Sequence, residues 1–354
     1  MKQRFYDISN LLNIQAQYNL LLGERSNGKS FQVKKHAIER FFSKGSKSIY
    51  LRRFTVEVKP NMVEEYFNDI DLNYDKLTNG KYAGVMCYRG LIYFYSFNEN
   101  GEKIKGESFG KYMALSTERQ TRSLSLSEYD IIIYEEFNNP PYLDDECKRL
   151  MHLVSTVARR RSIQVFLVGN TVSRLCPYFS EWQLVNIPKQ NFGDIDIYNI
   201  NTNQFNEDGS PVIVKIAVEL CANSGSNSKM FFGNASKMIT NGVWEADEHP
   251  HLLSKYRSYT LLYKLTIVSH NMMYVVELLQ NDARDHILFV HPTSQINTDR
   301  VITNEWAESL LFTDKLIPVC KGDKAIINLI KKGKICYSDN LTGSEFLSIL
   351  KDIL

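Results

Sequence analysis

Residues 23 to 30 read GERSNGKS and follow directly on YNLLL. Two glycines with four residues between them, then Lys29 and Ser30, complete the pattern G-x-x-x-x-G-K-[ST]. No other stretch constrains the fold as tightly, because the pattern works only between a buried strand and the start of a helix. Both are legible. YNLLL is a short apolar run suited to a buried strand. After Ser30, the residues Val33, Ala37, Ile38 and Phe41 recur at helical spacing, and Lys44-Gly45 ends the run. In that setting the loop amides and the helix N-terminus point at phosphate oxygens. Lys29 then reaches the β- and γ-phosphates of a nucleotide and Ser30 ligates Mg²⁺. ATP and Mg²⁺ are therefore the expected cofactors, with Gly23, Arg25, Ser26, Asn27, Gly28, Lys29 and Ser30 as the nucleotide-binding set. Arg25 is an additional cation, open to three roles: γ-phosphate contact, contact with a neighbouring subunit, or plain solvation.

A phosphate loop that holds Mg²⁺ needs an acid at the end of a neighbouring buried strand. DIIIYEEF, residues 130 to 137, supplies one. Ile131, Ile132 and Ile133 suit a central parallel strand. Glu135 and Glu136 stand at its C-terminal end, where ligands bind in open α/β sheets. Glu135 takes the metal-acid place, normally held by aspartate, and Glu136 is the candidate base that orients an attacking water. A glutamate directly after the metal acid points to an α/β P-loop NTPase of the additional-strand, catalytic-glutamate (ASCE) type. No N-K-x-D guanine signature is present. A third buried run, QVFLVGN, ends in Asn170, which can sense the γ-phosphate and couple hydrolysis to motion, or simply close a strand-to-loop turn.

The chain's 354 residues allow two or three domains. With 44% hydrophobic and 23% charged residues it reads as soluble and globular, and no apolar run is long enough to cross a membrane. The N-terminus lacks the apolar stretch of a signal peptide. Six scattered cysteines form no C-x-x-C pair, which argues against a zinc knuckle or redox pair and for a reducing compartment. A formal net charge of +2 does not announce a nucleic-acid binder, although a local basic patch would suffice.

Several arginines raise the same question. Arg159, Arg160 and Arg161 lie between the helical stretch DDECKRLMHLVSTVA and the strand QVFLVGN. They can reach a neighbour's nucleotide as arginine fingers, or serve as a basic helix end. Arg119 and Arg122, in TERQTRS, are open to both readings, and Arg52 and Arg53, at the end of SIYLRRF, can restrain Glu136 or line a pore.

In this order, GERSNGKS, SIYLRRF, MALSTERQTRS, DIIIYEEF, STVARRRS and FLVGNTVS resemble the DNA-packaging ATPases of small protein-primed tailed phages (the picovirus type), relatives of terminase large subunits. YKLTIVSHNMMYVVELLQ and FVHPTSQINTDRVITNE extend the resemblance over nearly the whole chain. The resemblance implies a motor that translocates double-stranded viral DNA into a preformed prohead. It implies a homo-oligomeric ring, taken as a pentamer, docked on the portal (connector), with a structural RNA as a further partner and no membrane. The location is the host cytoplasm, with transient docking on the prohead. By position, Lys29 and Ser30 take the phosphate and Mg²⁺ roles, Glu135 the metal-acid role and Glu136 the catalytic one. Arg122 falls at a basic trans-acting place and Arg159 or Arg160 at the arginine finger.

The expected organisation is a P-loop ATPase domain over 1–202, a small linker domain over 203–250 and an RNase H-like α/β domain over 251–354 that has lost cleavage. VIVKIAVEL is a short apolar segment between the polar stretches NTNQFNEDGSP and CANSGSNSK, inside the linker. LLYKLTIVS, MMYVVELLQ and HILFVHP are three consecutive strands, and NEWAESLLF, DKAIINLIKK and GSEFLSILKDIL are helices. A nuclease needs carboxylates gathered on two metals. The first of these strands has none, and Glu277, Asp282 and Asp285 do not make up for it. EADEHPH, with Asp247, Glu248, His249 and His251, reads as a solvated loop rather than a metal site. Lys331, Lys332 and Lys334 are open to DNA phosphates or to solvent. The alternatives are an active large terminase with both ATPase and nuclease, a P-loop ATPase acting on protein, and a nucleotide-gated interaction module without turnover.

Overall fold

A computed structural model describes residues 6–25, 27–69, 72–121, 125–159, 161–171, 173–205, 208–221, 248–252, 259–270, 272–303 and 311–354. The chain divides into two compact units. The first comprises residues 1–171 and 186–243, the second 172–185 and 244–354.

The first unit opens with α1 (Ser9–Asn13), β1 (Tyr18–Leu22), α2 (Lys29–Lys44), β2 (Lys47–Arg52), α3 (Pro60–Phe67) and α4 (Tyr74–Leu77). It continues with β3 (Gly84–Tyr88), β4 (Leu91–Phe97), β5 (Lys103–Ala114), β6 (Tyr129–Glu135), α5 (Glu146–Ala158) and β7 (Gln164–Val168). After α6 (Pro177–Glu181), which belongs to the second unit, β8 (Ile195–Phe205) and β9 (Pro211–Leu220) complete it. The nine strands form one sheet in the order β3-β4-β5-β2-β6-β7-β1-β9-β8. From β5 to β9 every pairing is parallel, and the two edges are antiparallel. The centre is parallel because strands such as YNLLL and IIIY are apolar on both faces and must be covered on both.

On the face that α2 covers, two apolar clusters lie side by side. One joins Leu21, Ile131, Ile133, Phe166 and Val168 to Val33 and Ala37 of α2 and to Tyr6, Ile8 and Leu11. The other is aromatic, with Tyr50, Phe67, Phe94 and Phe109 packed against Ile38 and Val63. Helix α2 ends where the sequence says it should, with Gly45 at φ 70°, a conformation glycine adopts without a Cβ penalty.

The boundary expected at 202/203 falls inside β8. VIVKIAVEL is no linker segment. It lies in β9, pairs in parallel with β1 from Tyr18↔Ile216 to Leu22↔Leu220, and flanks the phosphate-loop strand. Only its second half, from Ile216 onward, is buried, and its first half runs out beside β8 with Pro211 and Ile213 exposed. The polar run NTNQFNEDGSP covers the end of β8 and its connection to β9. The remainder of the expected linker, residues 222–247, lies outside the described residues.

In the second unit, β10 (Tyr259–Ser269), β11 (Met272–Asn281), β12 (His286–Pro292), β13 (Arg300–Thr303), β14 (Leu311–Thr313) and β15 (Ile335–Tyr337) form a six-stranded sheet in the order β14-β13-β10-β11-β12-β15. The meander β10-β11-β12 is antiparallel, whereas β13, β14 and β15 join in parallel. Helices α7 (Lys321–Lys331) and α8 (Asn340–Ile353) contribute Ile326, Phe346 and Ile349 to a core shared with Leu265, Tyr274 and Val276. Glu345 of α8 is buried and takes a two-pronged contact from Arg174 at 2.6 and 2.8 Å and the Tyr274 hydroxyl at 2.5 Å. The expected helix NEWAESLLF departs from the structure at its end, where Leu311 and Phe312 belong to β14. A strand beside β13 satisfies their backbone, which the sequence alone does not reveal, and the rest of the segment lies outside the described residues.

A candidate nucleotide site at the strand ends

The order β2-β6-β7-β1 puts one strand between the phosphate-loop strand and the acid strand, and opens a crevice at their C-terminal ends. A cleft of about 470 Å³ lies there. Arg25, Asn27, Gly28, Lys29, Ser30, Glu135, Glu136 and Asn170 are among its walls, so most of the expected site converges on one cavity.

The loop is held by its glycines. Gly23 has φ 152°, and a Cβ there would sit 3.1 Å from both the Asn27 amide nitrogen and the Cys221 carbonyl. Gly28 starts α2 in the left-handed region at φ 97°. Lys29 is buried, and its ammonium folds back onto the loop, donating to the Glu24 carbonyl at 2.5 Å and to Asn27 Oδ1 at 3.2 Å. Burial pushes its pKa down, against the pull of nearby carboxylates such as Glu135 and Glu136. A phosphate would supply the counter-charge that these carbonyls only partly provide. Asn27 O in turn accepts from the Tyr6 amide at 3.1 Å, so the chain before α1 steadies the loop.

Ser30 Oγ donates to Glu135 Oε2 at 3.1 Å. A hydroxyl and a carboxylate in contact are the hard oxygen donors that Mg²⁺ takes, so the residues fit that ion. Burial raises the Glu135 pKa, offset by hydrogen bonds from Tyr66 and Ser30. The Tyr66 hydroxyl donates to Glu135 Oε1 at 2.6 Å.

Glu136 leaves the strand in the left-handed region, φ 57°, with its amide donating to Val168 O at 2.7 Å. Its carboxylate is gripped by two amides, Asn170 Nδ2 at 3.2 Å and Asn139 Nδ2 at 3.1 Å. The Asn138 amide donates to the Asn170 carbonyl, which fixes the partner as well. Asn170 thus touches the candidate base directly.

The arginines separate. Arg53 does not restrain Glu136. It is buried against Glu146 at 2.7 Å, and Arg52 pairs with Glu57 at 2.8 Å. Arg161 caps the end of α5, donating to Val157 O and Tyr129 O at 3.0 and 3.1 Å. Arg159 is exposed at the α5 C-cap with φ 41°, and Arg119 is exposed in a 3₁₀ turn. Ser26, Arg122 and Arg160 lie outside the described residues. Lys331 ends α7, and Lys332 and Lys334 follow it; all three are exposed and belong to the second unit.

Sequence reasoning missed Tyr66, Asp69, Lys34 and Asn139. Asp69 lines the cleft and pairs with Lys34 at 2.7 Å. No spacing marks them, and only the Asn138-Asn139 pair directly after the acid strand offered a signal. In the second unit, His249 Nε2 lies 3.0 Å from Ser344 Oγ and His251 Nε2 lies 2.9 Å from Asn340 Oδ1, contacts that tie the EADEHPH end to α8. Among the described residues no three His, Cys, Asp or Glu side chains gather as metal ligands.

A glycine-bounded loop between buried strand and helix, with a lysine, a hydroxyl and two carboxylates on one crevice of a mixed α/β sheet, has the layout of a nucleotide-phosphate site. Residues 1–306 match the Podovirus DNA encapsidation protein (Gp16) family, and the chain belongs to that family. It is 28% identical over 200 residues to the DNA packaging protein of Bacillus phage phi29, covering 55% of this chain and 55% of that protein. Identity to the DNA packaging protein of Bacillus phage B103 is 30% over 182 residues, 49% and 50% of the two chains. The matched stretch therefore spans about half the length of these relatives. The bacteriophage phi29 viral genome packaging motor assembly superposes over 99% of each chain with a TM-score of 0.58 at 18% identity, which shows a shared fold.

Proposed function

We propose that this chain is the ATP-driven motor that moves double-stranded viral DNA into a preformed prohead. The observation that carries the reading is the Ser30–Glu135 contact beside Lys29, with Glu136 one residue further and held by two amides, in a member of a DNA encapsidation family. The position of β7 between β1 and β6 supports the additional-strand type of P-loop ATPase.

Mg²⁺, when bound, would supply positive charge that offsets the charge of the phosphates. Ser30 and Glu135 would hold it. Lys29 would leave the Glu24 carbonyl for the β- and γ-phosphates. Glu136 would accept the proton of the attacking water, and Asn170 would report the state of that carboxylate to the chain beyond β7. Arg159, Arg160 and Arg122 are the proposed trans-acting cations, completing the site of a neighbour in a homo-oligomeric ring, taken as a pentamer. Docking on the portal, a structural RNA partner, the host cytoplasm and DNA contacts at Lys331, Lys332 and Lys334 belong to the same proposal.

For the second unit, the order β12-β11-β10-β13-β14, three antiparallel strands then two parallel ones, supports an RNase H-like reading. The first strand, β10, carries no Asp or Glu. Arg300 and Asp323 lie 3.5 Å apart, and Asp323 also accepts from Tyr263 at 2.9 Å, so this acid is committed to structure. We therefore propose a domain without nuclease activity.

The test is ATP hydrolysis with and without double-stranded DNA, using Lys29→Ala as control. DNA-stimulated turnover abolished by Lys29→Ala is expected. Turnover indifferent to DNA would favour an ATPase acting on protein, absent turnover a binding module, and Mn²⁺-dependent nicking of plasmid the active terminase.

A further inference from the structure

Glu135 is one methylene longer than the aspartate usual at its place, and so has one more rotor to immobilise. The structure shows what immobilises it. Each carboxylate oxygen has its own hydroxyl donor, Tyr66 on Oε1 at 2.6 Å and Ser30 on Oε2 at 3.1 Å. Tyr66 is itself fixed on several sides. Its ring lies 4.5 Å from that of Tyr50 and 4.9 Å from that of Phe67. The Lys34 ammonium sits 4.5 Å over the ring. The same ammonium donates to the Tyr66 carbonyl at 2.8 Å and pairs with Asp69 at 2.7 Å. Lys34 stands one helical turn beyond Ser30 on α2. The helix that presents the Ser30 hydroxyl therefore also fixes the tyrosine that aims the opposing carboxylate.

We propose that Tyr66 is the positioning residue for Glu135, holding Oε1 so that Oε2 stays on Ser30 at the metal-binding corner of the cleft. A tyrosine of α3 thus compensates for the glutamate's extra length. This inference rests on the ATP and Mg²⁺ reading of the site. A residue that orients a metal-binding carboxylate shows itself in metal affinity, with losses of about 10–100-fold when such partners are removed.

The experiment titrates Mg²⁺, in the full chain, against the fluorescence of a mant-labelled non-hydrolysable ATP analogue. Tyr66→Phe keeps the ring, its stacking and the lysine above it, and removes only the donor. Its half-saturating Mg²⁺ is expected to rise about tenfold, with metal-free nucleotide binding unchanged. Glu135→Asp is expected to show a similar rise, and Tyr66→Phe to add little in that background, because the shorter side chain no longer reaches the tyrosine. Asp69→Asn, which loosens the lysine that holds Tyr66, provides a second variant and should move the metal dependence the same way by less. Wild-type metal dependence in both Tyr66→Phe and Asp69→Asn overturns the inference alone, as does an equally large effect of Tyr66→Phe on top of Glu135→Asp. A wild-type chain whose nucleotide binding is absent, or indifferent to Lys29→Ala, overturns the parent reading and this one with it.

Discussion

Arg53 is the residue whose removal should cost the first unit most. It is 4% exposed and its partner Glu146 is fully buried. Nε and one Nη reach the two carboxylate oxygens at 2.7 and 3.1 Å, a forked contact. The same guanidinium donates to the carbonyls of Phe137 and Asn139, both at 2.5 Å. Those carbonyls lie in the turn that carries Glu136 away from β6. Removing one partner of a buried pair costs about 3–5 kcal/mol, because the other charge stays behind in a poor solvent. Each carbonyl deprived of its donor adds about 1 kcal/mol. Arg53→Ala should therefore lose about 5 kcal/mol or more, a large share of the roughly 5–15 kcal/mol that a domain has. Arg53→Lys keeps the charge without the fork, cannot serve a carboxylate and two carbonyls together, and should fall between. Replacing both members, as in Arg53→Met with Glu146→Leu, should be milder than Arg53→Ala, since no charge is stranded. The measurement is the urea midpoint followed by circular dichroism. A loss below about 1 kcal/mol for Arg53→Ala would refute the reasoning and return Arg53 to the alternative of restraining Glu136 or lining a pore.

Glu136→Gln should bind ATP normally and hydrolyse it at least about a hundredfold more slowly, since proton acceptance is lost and affinity is not. Near-normal kcat would remove Glu136 from the role of base. Burial pushes the Glu219 carboxyl, which accepts from Tyr6 at 2.6 Å, up to about 7. The folded chain then holds a proton that the unfolded chain releases, so stability falls as pH rises from the ordinary carboxyl range to about 7 and is flat beyond. Glu219→Gln should flatten that fall by at most about 3 kcal/mol, and equal slopes for both proteins in urea melts at pH 5 and 7 would sink it. Mixing Arg159→Ala or Arg160→Ala subunits with Lys29→Ala subunits, on DNA or proheads where rings assemble, should restore hydrolysis that no single mutant has. Persistent inactivity in mixtures shown to co-assemble would leave those arginines as a helix end.

How much of the site could be read from the chain depends on how far apart its members lie in sequence. The loop GERSNGKS is legible because its glycines, lysine and serine act within a single strand–loop–helix turn. Glu135 and Glu136 are legible because a β-branched run must end somewhere, and the end of a parallel strand is where polar groups do chemistry. Tyr66 is not legible in VEEYFND. Its hydroxyl meets Glu135 across 69 residues of sequence, and nothing in its short helix shows that its one tyrosine reaches the acid strand. β9 is hidden for a different reason: VIVKIAVEL is a short apolar run set between polar stretches, and its parallel partner β1 stands at the other end of the unit's sequence. The arginines show the limit most directly. Arg159 and Arg161 are equivalent by composition and by their place at a helix end. The helix ends at Arg159, whose left-handed backbone turns the chain, and two residues later the Arg161 guanidinium closes on the carbonyls of Val157 and Tyr129. That contact spends Arg161 on holding α5 to β6 and leaves the trans-acting role to be sought at Arg159 and its neighbour Arg160.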